Sequence, residues 1–159
     1  MNILTVSDIA TLKAMPKKLM NPRARKKPHE RYIAVDYDVE GPNGEKFHIY
    51  TRQNLLDEDD FSTGLRWSRP GADVSLVRYN GSSHPHRNAI EGETLSFVCH
   101  IHEPTERYQA ADKKGDGFAT VTDRYGSLAG AFELLLTHWN ISRPASSVSS
   151  SGAQQDLLE

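Results

Sequence analysis

Residues 32–52 read YIAVDYDVEGPNGEKFHIYTR. From Tyr32 to Glu40, Ile33, Val35, Tyr37 and Val39 alternate with Ala34, Asp36 and Asp38. A period of two is the signature of a strand with one buried and one wet face. Gly41-Pro42-Asn43-Gly44 is turn chemistry, with glycines available for positive φ. Alternation resumes from Lys46: Phe47, Ile49 and Thr51 point one way, and Lys46, His48, Tyr50 and Arg52 the other. The two segments predict an antiparallel hairpin.

The pattern continues downstream. Phe61–Trp67 and Ala72–Tyr79 form a second strand pair across Arg69-Pro70-Gly71. Val74-Ser75-Leu76-Val77-Arg78-Tyr79 is apolar on both faces and belongs at the centre of a sheet. Thr94–His102 predicts a further strand. Leu95, Phe97, Cys99 and Ile101 would face the core, and His100 and His102 would project together from the other face. Phe118–Val121 predicts a short strand and Thr105–Ala111 a helical turn. Ser127–Asn140 is a helix: Ser127 caps it, and Leu128, Ala131, Phe132, Leu135, Leu136 and Trp139 make its apolar stripe. The fold class is therefore α+β, a mostly antiparallel sheet of about five strands with the C-terminal helix packed on one face.

Three regions follow: residues 1–30, an N-terminal helix and basic arm; 31–141, one α+β domain; and 142–159, a Ser-rich tail expected to be disordered. Residues 2–15 are helical in pattern, with Thr5 or Ser7 as cap, and Pro16 ends the run. In residues 13–31, eight cations against one acid give +7, so the rest of this chain of net charge −2 carries −9. Clustered cations can meet phosphates. No aromatic is interleaved with them to stack on bases, which favours a solvated linker. Asp57–Asp60 is a solvated charge run. Asp112–Gly117 lacks the ligand spacing of a calcium loop.

The longest apolar run is too short for a bilayer and no leader precedes it, so a cytoplasmic protein without a membrane partner is expected. The single cysteine, Cys99, excludes an internal disulfide and a Cys-rich zinc site. On the apolar side of its strand it reads as an inert core thiol. His29, His48 and His138 look isolated.

Chemistry concentrates between Arg78 and Tyr108, which holds His84, His86, His100 and His102 together with Asn88, Glu91, Glu106 and Arg107. Three readings compete. The first is metal-independent acid–base cleavage of RNA. His100 and His102 would be base and acid, since imidazole titrates near neutrality, with His86 assisting and Glu106 orienting a ring. Arg78 and Arg107 would hold phosphate, with Tyr108 and Asn88 also on the substrate. The second is a divalent metal such as zinc on His84, His86, His100, His102 and Glu91. The third is a hydrogen-bonded cluster fixing a long loop in a non-catalytic accessory protein.

An ordered set of motifs spans residues 75–141: Leu76-Val77-Arg78-Tyr79, His86-Arg87-Asn88, Glu91-Gly92, His100-Ile101-His102, Thr105-Glu106-Arg107-Tyr108, and a helix ending in Trp139-Asn140-Ile141. The set resembles an uncharacterised bacterial and phage family, a domain of unknown function. Members often carry proline where this chain has Ala89, and glycine where it has Arg107. Arg78-Tyr79-Asn80 followed by clustered histidines is more loosely similar to small toxins of toxin–antitoxin pairs. That similarity implies action on RNA and an antitoxin protein as partner.

Overall fold

The computed structural model describes residues 3–111 and 116–144. The hairpin of residues 32–52 forms as β3 (Tyr32–Glu40) and β4 (Lys46–Asn54), with Gly44 at φ +85° in the turn. The second pair forms as β5 (Phe61–Arg69) and β6 (Ala72–Asn80). These four long strands are consecutive neighbours. Shorter pieces extend the sheet: β1 (Lys17–Leu19), β2 (Lys27–Pro28), β9 (His100–His102), β10 (Ala119–Val121) and β11 (Ile141–Ser142). The order is β10-β9-β6-β5-β4-β3-β1-β11, and β2 also pairs with β3. Only β1 with β11 is parallel among these pairs. A separate two-stranded ribbon joins β7 (His86–Arg87) to β8 (Thr94–Leu95).

The fold class is α+β, and the sheet is larger than five strands. The basic arm contributes β1 and β2 to it instead of running free, and β1 pairs with β11. Ser142, at the head of the Ser-rich tail, is one of those β11 residues, and its Oγ donates to the Lys17 carbonyl at 3.2 Å. Residues 145–159 of that tail, and 112–115 of the Asp112–Gly117 loop, lie outside the described residues.

One face of the sheet is apolar. Val39, Phe47, Ile49, Leu65, Val77 and Tyr79 are buried there. The bulge at Leu65/Arg66 leaves Leu76 unpaired, so Leu76 and Val77 are successive buried residues, which explains the apolar run read in β6. Helix α3 (Leu128–His138) covers this face, capped by Ser127 accepting from Gly130 N. Its Ala131, Leu135 and Leu136, and the following Trp139, are buried. Each large apolar side chain so placed contributes about 1.5–3 kcal/mol.

Helix α1 (Val6–Ala14) starts in a capping box between Thr5 and Asp8. Helix α2 (Glu106–Ala110) docks that N-terminus. Glu106 Oε2 accepts from Val6 N at 2.9 Å, and Gln109 bonds both backbone groups of Leu4. Lys17, 1 % exposed, ties the far end: its Nζ donates to the carbonyls of Met15 at 2.9 Å and Trp139 at 2.6 Å.

The strand expected over Thr94–His102 is broken. Its two ends join different sheets, and Phe97 between them adopts φ +52° and is 65 % exposed. Phe97 therefore does not face the core, whereas Cys99 and Ile101 pack against it. Burial pushes the Cys99 thiol up, as suits an inert core thiol.

Candidate functional site

The opposite face of the sheet is polar and builds the site. Residues directly opposed in neighbouring strands share a face. Lys27, Ala34, Arg52, Ser62, Asn80 and His100 stand in one row across six strands. Asp36, Tyr50, Gly64, Arg78 and His102 make the next. Gly64 is required in this row: a Cβ there would lie 2.4 Å from the Tyr50 hydroxyl and 2.5 Å from Cζ.

The loop after β6 folds back over this face. Gly81 lets it start, because a Cβ there would lie 2.2 Å from the Asp59 carbonyl oxygen. The β7–β8 ribbon holds the loop, and Asn88 locks it. Asn88 is fully buried; its Nδ2 donates to the Ala119 carbonyl at 2.9 Å and its Oδ1 accepts from Ala119 N at 2.8 Å. His86 is thereby laid against His100 and His102. Ring centroids are 5.5 Å apart for His86–His100, 4.5 Å for His86–His102 and 5.1 Å for His100–His102. One potential ligand atom from each ring lies within 4.8 Å of the others.

One nitrogen of each ring has a carbonyl partner. His100 Nδ1 donates to Val98 O at 2.9 Å, His102 Nδ1 to Asp116 O at 2.9 Å and His86 Nε2 to Gly117 O at 2.8 Å. These acceptors require an N–H, so Nε2 of His100, Nε2 of His102 and Nδ1 of His86 carry lone pairs. Burial, then the neighbouring Arg78 guanidinium, pushes His102 down to about 3. Burial also lowers His100. Both rings are neutral at neutral pH. Asn80 Nδ2 sits 3.4 Å from His100 Nε2, while Asn80 Oδ1 is buried with no hydrogen-bond partner among the described residues.

The three rings open into a cleft of about 790 Å³. Arg78 stands beside His102, its Nη1 3.6 Å from Asp116 Oδ2. At the far wall the Arg52 guanidinium lies 4.0 Å above the Tyr32 ring, and His29 stacks on Tyr32 at 4.4 Å. Arg31, Glu30 and Asp60 also line the cleft.

His86, His100, His102 and Arg78 thus converge as the sequence suggests. The others do not. His84 lines the cleft but is exposed and bonds Ser83. Glu106 holds α1 rather than a histidine. Glu91 is taken by Arg107 and by the Tyr108 hydroxyl at 2.6 Å, and Tyr108 is buried. Arg107 and Tyr108 therefore brace the loop, and Asn88 locks it; none of the three lines the cleft. Sequence reading missed Arg52, Tyr32 and Asn80, and His29, read as isolated, instead stacks on Tyr32 in the cleft. Their signal was available in the polar side of the hairpin, once register aligns Arg52 with Asn80. His48 is not isolated, since its Nε2 meets Asp36 at 3.0 Å, and His138 Nδ1 meets the Tyr79 hydroxyl at 3.2 Å.

Among the described residues no helix is long and apolar enough to cross a membrane. No family model, no curated protein and no solved structure matches this chain, so its function has to be read from the site itself.

Proposed function

We propose that the chain is a metal-dependent phosphodiesterase acting on RNA, with one divalent ion, zinc foremost, held by His86, His100 and His102. The carrying observation is the trio of rings offering one nitrogen each within 4.8 Å of one another, with every ring also held by a backbone carbonyl. Ligating histidines are commonly oriented in this way. Three protein ligands with room for a fourth is the arrangement of catalytic rather than structural zinc. An ion so placed supplies Lewis acidity and a lowered pKa for water.

The surrounding residues fit that chemistry. Arg78 reaches the same face as His102 and is suited to an anionic oxygen. Asn80 Oδ1, buried and unpartnered, is free to accept from water or a substrate hydroxyl. The metal-free alternative, with His100 and His102 as base and acid, is weaker. A ring pushed down to about 3 donates and accepts protons poorly at neutral pH. The looser similarity of Arg78-Tyr79-Asn80 and the clustered histidines to small toxins supports adding an antitoxin partner to the proposal.

Metal analysis of protein purified without chelator or affinity tag tests it. About one equivalent is expected, falling near zero in His100→Ala. Induction in cells is expected to arrest growth, and His100→Ala to relieve the arrest. Folded wild-type protein that takes up no zinc, manganese or iron refutes the metal site.

A further inference from the structure

The cationic groups do not stop at the cleft. The row ending at His100 begins at Lys27, in the basic arm, and passes through Arg52, Ser62 and Asn80. Five strand spacings of about 4.8 Å make this row roughly 24 Å long. A groove of that length is long enough for several nucleotides, within the roughly 4–16 that single-strand-binding folds cover.

Arg52 occupies the middle of this row. Its guanidinium is held flat on Tyr32, itself stacked on His29, and among the described residues it has no carboxylate partner. A planar cation held this way offers both N–H donors for phosphate and a face for a base. It supplies the aromatic component that the arm's own sequence lacks.

Beyond Lys27 the arm continues with Arg23, Arg25 and Lys26, all exposed and without an ion pair among the described residues. Asp36 in the adjoining row is neutralised by Lys27 and faces His48. Asp60, bonded by Asn54, and Glu30 are the acids of the cleft wall, alongside Arg31 and Arg52 in its lining. Cations without an ion pair among the described residues therefore stand both in the cleft, at Arg52, and outside it, on the arm. A mononucleotide bound in the cleft would leave the arm unused.

We propose that the arm, Arg52 and Arg78 form one continuous track for single-stranded RNA, leading its backbone to the three histidines. This rests on the phosphodiesterase reading above. The His29–Tyr32–Arg52 stack is the point at which one base is held.

Fluorescence anisotropy with labelled RNA of about 12 nucleotides, on zinc-loaded and chelator-treated full-length protein, tests the track. The triple variant Arg23→Ala/Arg25→Ala/Lys26→Ala is expected to bind about tenfold more weakly. Its log affinity should depend on log salt less steeply by about 2, from 0.7 per phosphate contact. Arg52→Ala should weaken binding similarly, and Arg52→Lys should not restore it, because the stack is lost. All variants should keep the wild-type metal content. Unchanged affinity and salt slope in the triple variant would overturn the track, as would equal binding of a dinucleotide and the longer RNA. If metal is absent but arm-dependent binding remains, the metal reading fails and the track stands.

Discussion

The Nδ1–H of His102 donates to the backbone carbonyl of Asp116 at 2.9 Å, so the ring is oriented by the main chain and not by the acid's side chain. The Asp116 carboxylate is instead directed at Arg78. Asp116→Asn is therefore expected to retain about one equivalent of zinc, while His102→Ala loses it. Metal analysis of both variants checks this, and zinc loss in Asp116→Asn would give the carboxylate the orienting role.

Asn88 replaces a strand partner for Ala119, pairing both its N–H and its carbonyl. Asn88→Ala leaves those two groups buried and unmet, at about 2–4 kcal/mol. Because His86 also bonds Asn88 Oδ1, zinc affinity should drop about 10- to 100-fold. Urea denaturation and a competitive zinc titration read the two effects separately.

Gly64 leaves space for the ring of Tyr50. Gly64→Ala alone should cost about 1–3 kcal/mol through overpacking. In the Tyr50→Ala background the same change should cost much less, because the clash is gone. A double-mutant cycle in thermal denaturation measures that coupling.

Burial pulls Lys17 down to about 8 from its usual 10.5. Below pH 8 the amine is charged in folded and unfolded chains alike. Between the two values the unfolded chain binds more proton, so stability rises with pH across that window. The gain is bounded at roughly 3–4 kcal/mol, at about 1.4 kcal/mol per pKa unit. Urea denaturation from neutral to alkaline pH should show this rise in the wild type and not in Lys17→Met.

The long strands were legible because every second residue of β3 and β4 is apolar and their turn is spelled out by glycines. Helix α3 was legible for the same reason at its own period. Local alternation says nothing about partners, so the recruitment of the arm by β3 and β11 was invisible. Alternation also misled at Phe97, where one left-handed residue breaks a pattern that continues on paper to His102. Within the site, His86, His100 and His102 were recognisable as a group. Their neighbours Arg52 and Tyr32 were not, because strand register, and not sequence distance, places them in the same cleft.

Helix α3 clothes one side of the sheet and leaves the other to the loop after β6 and the cleft. The two faces of each long strand therefore answer to different demands. On the proposed function, a change at Arg52, Ser62 or Asn80 would alter what is bound while Ile49, Leu65 and Tyr79 go on holding the scaffold. Such a division lets descendants of this chain acquire new targets by substitution along one row, without first acquiring spare stability.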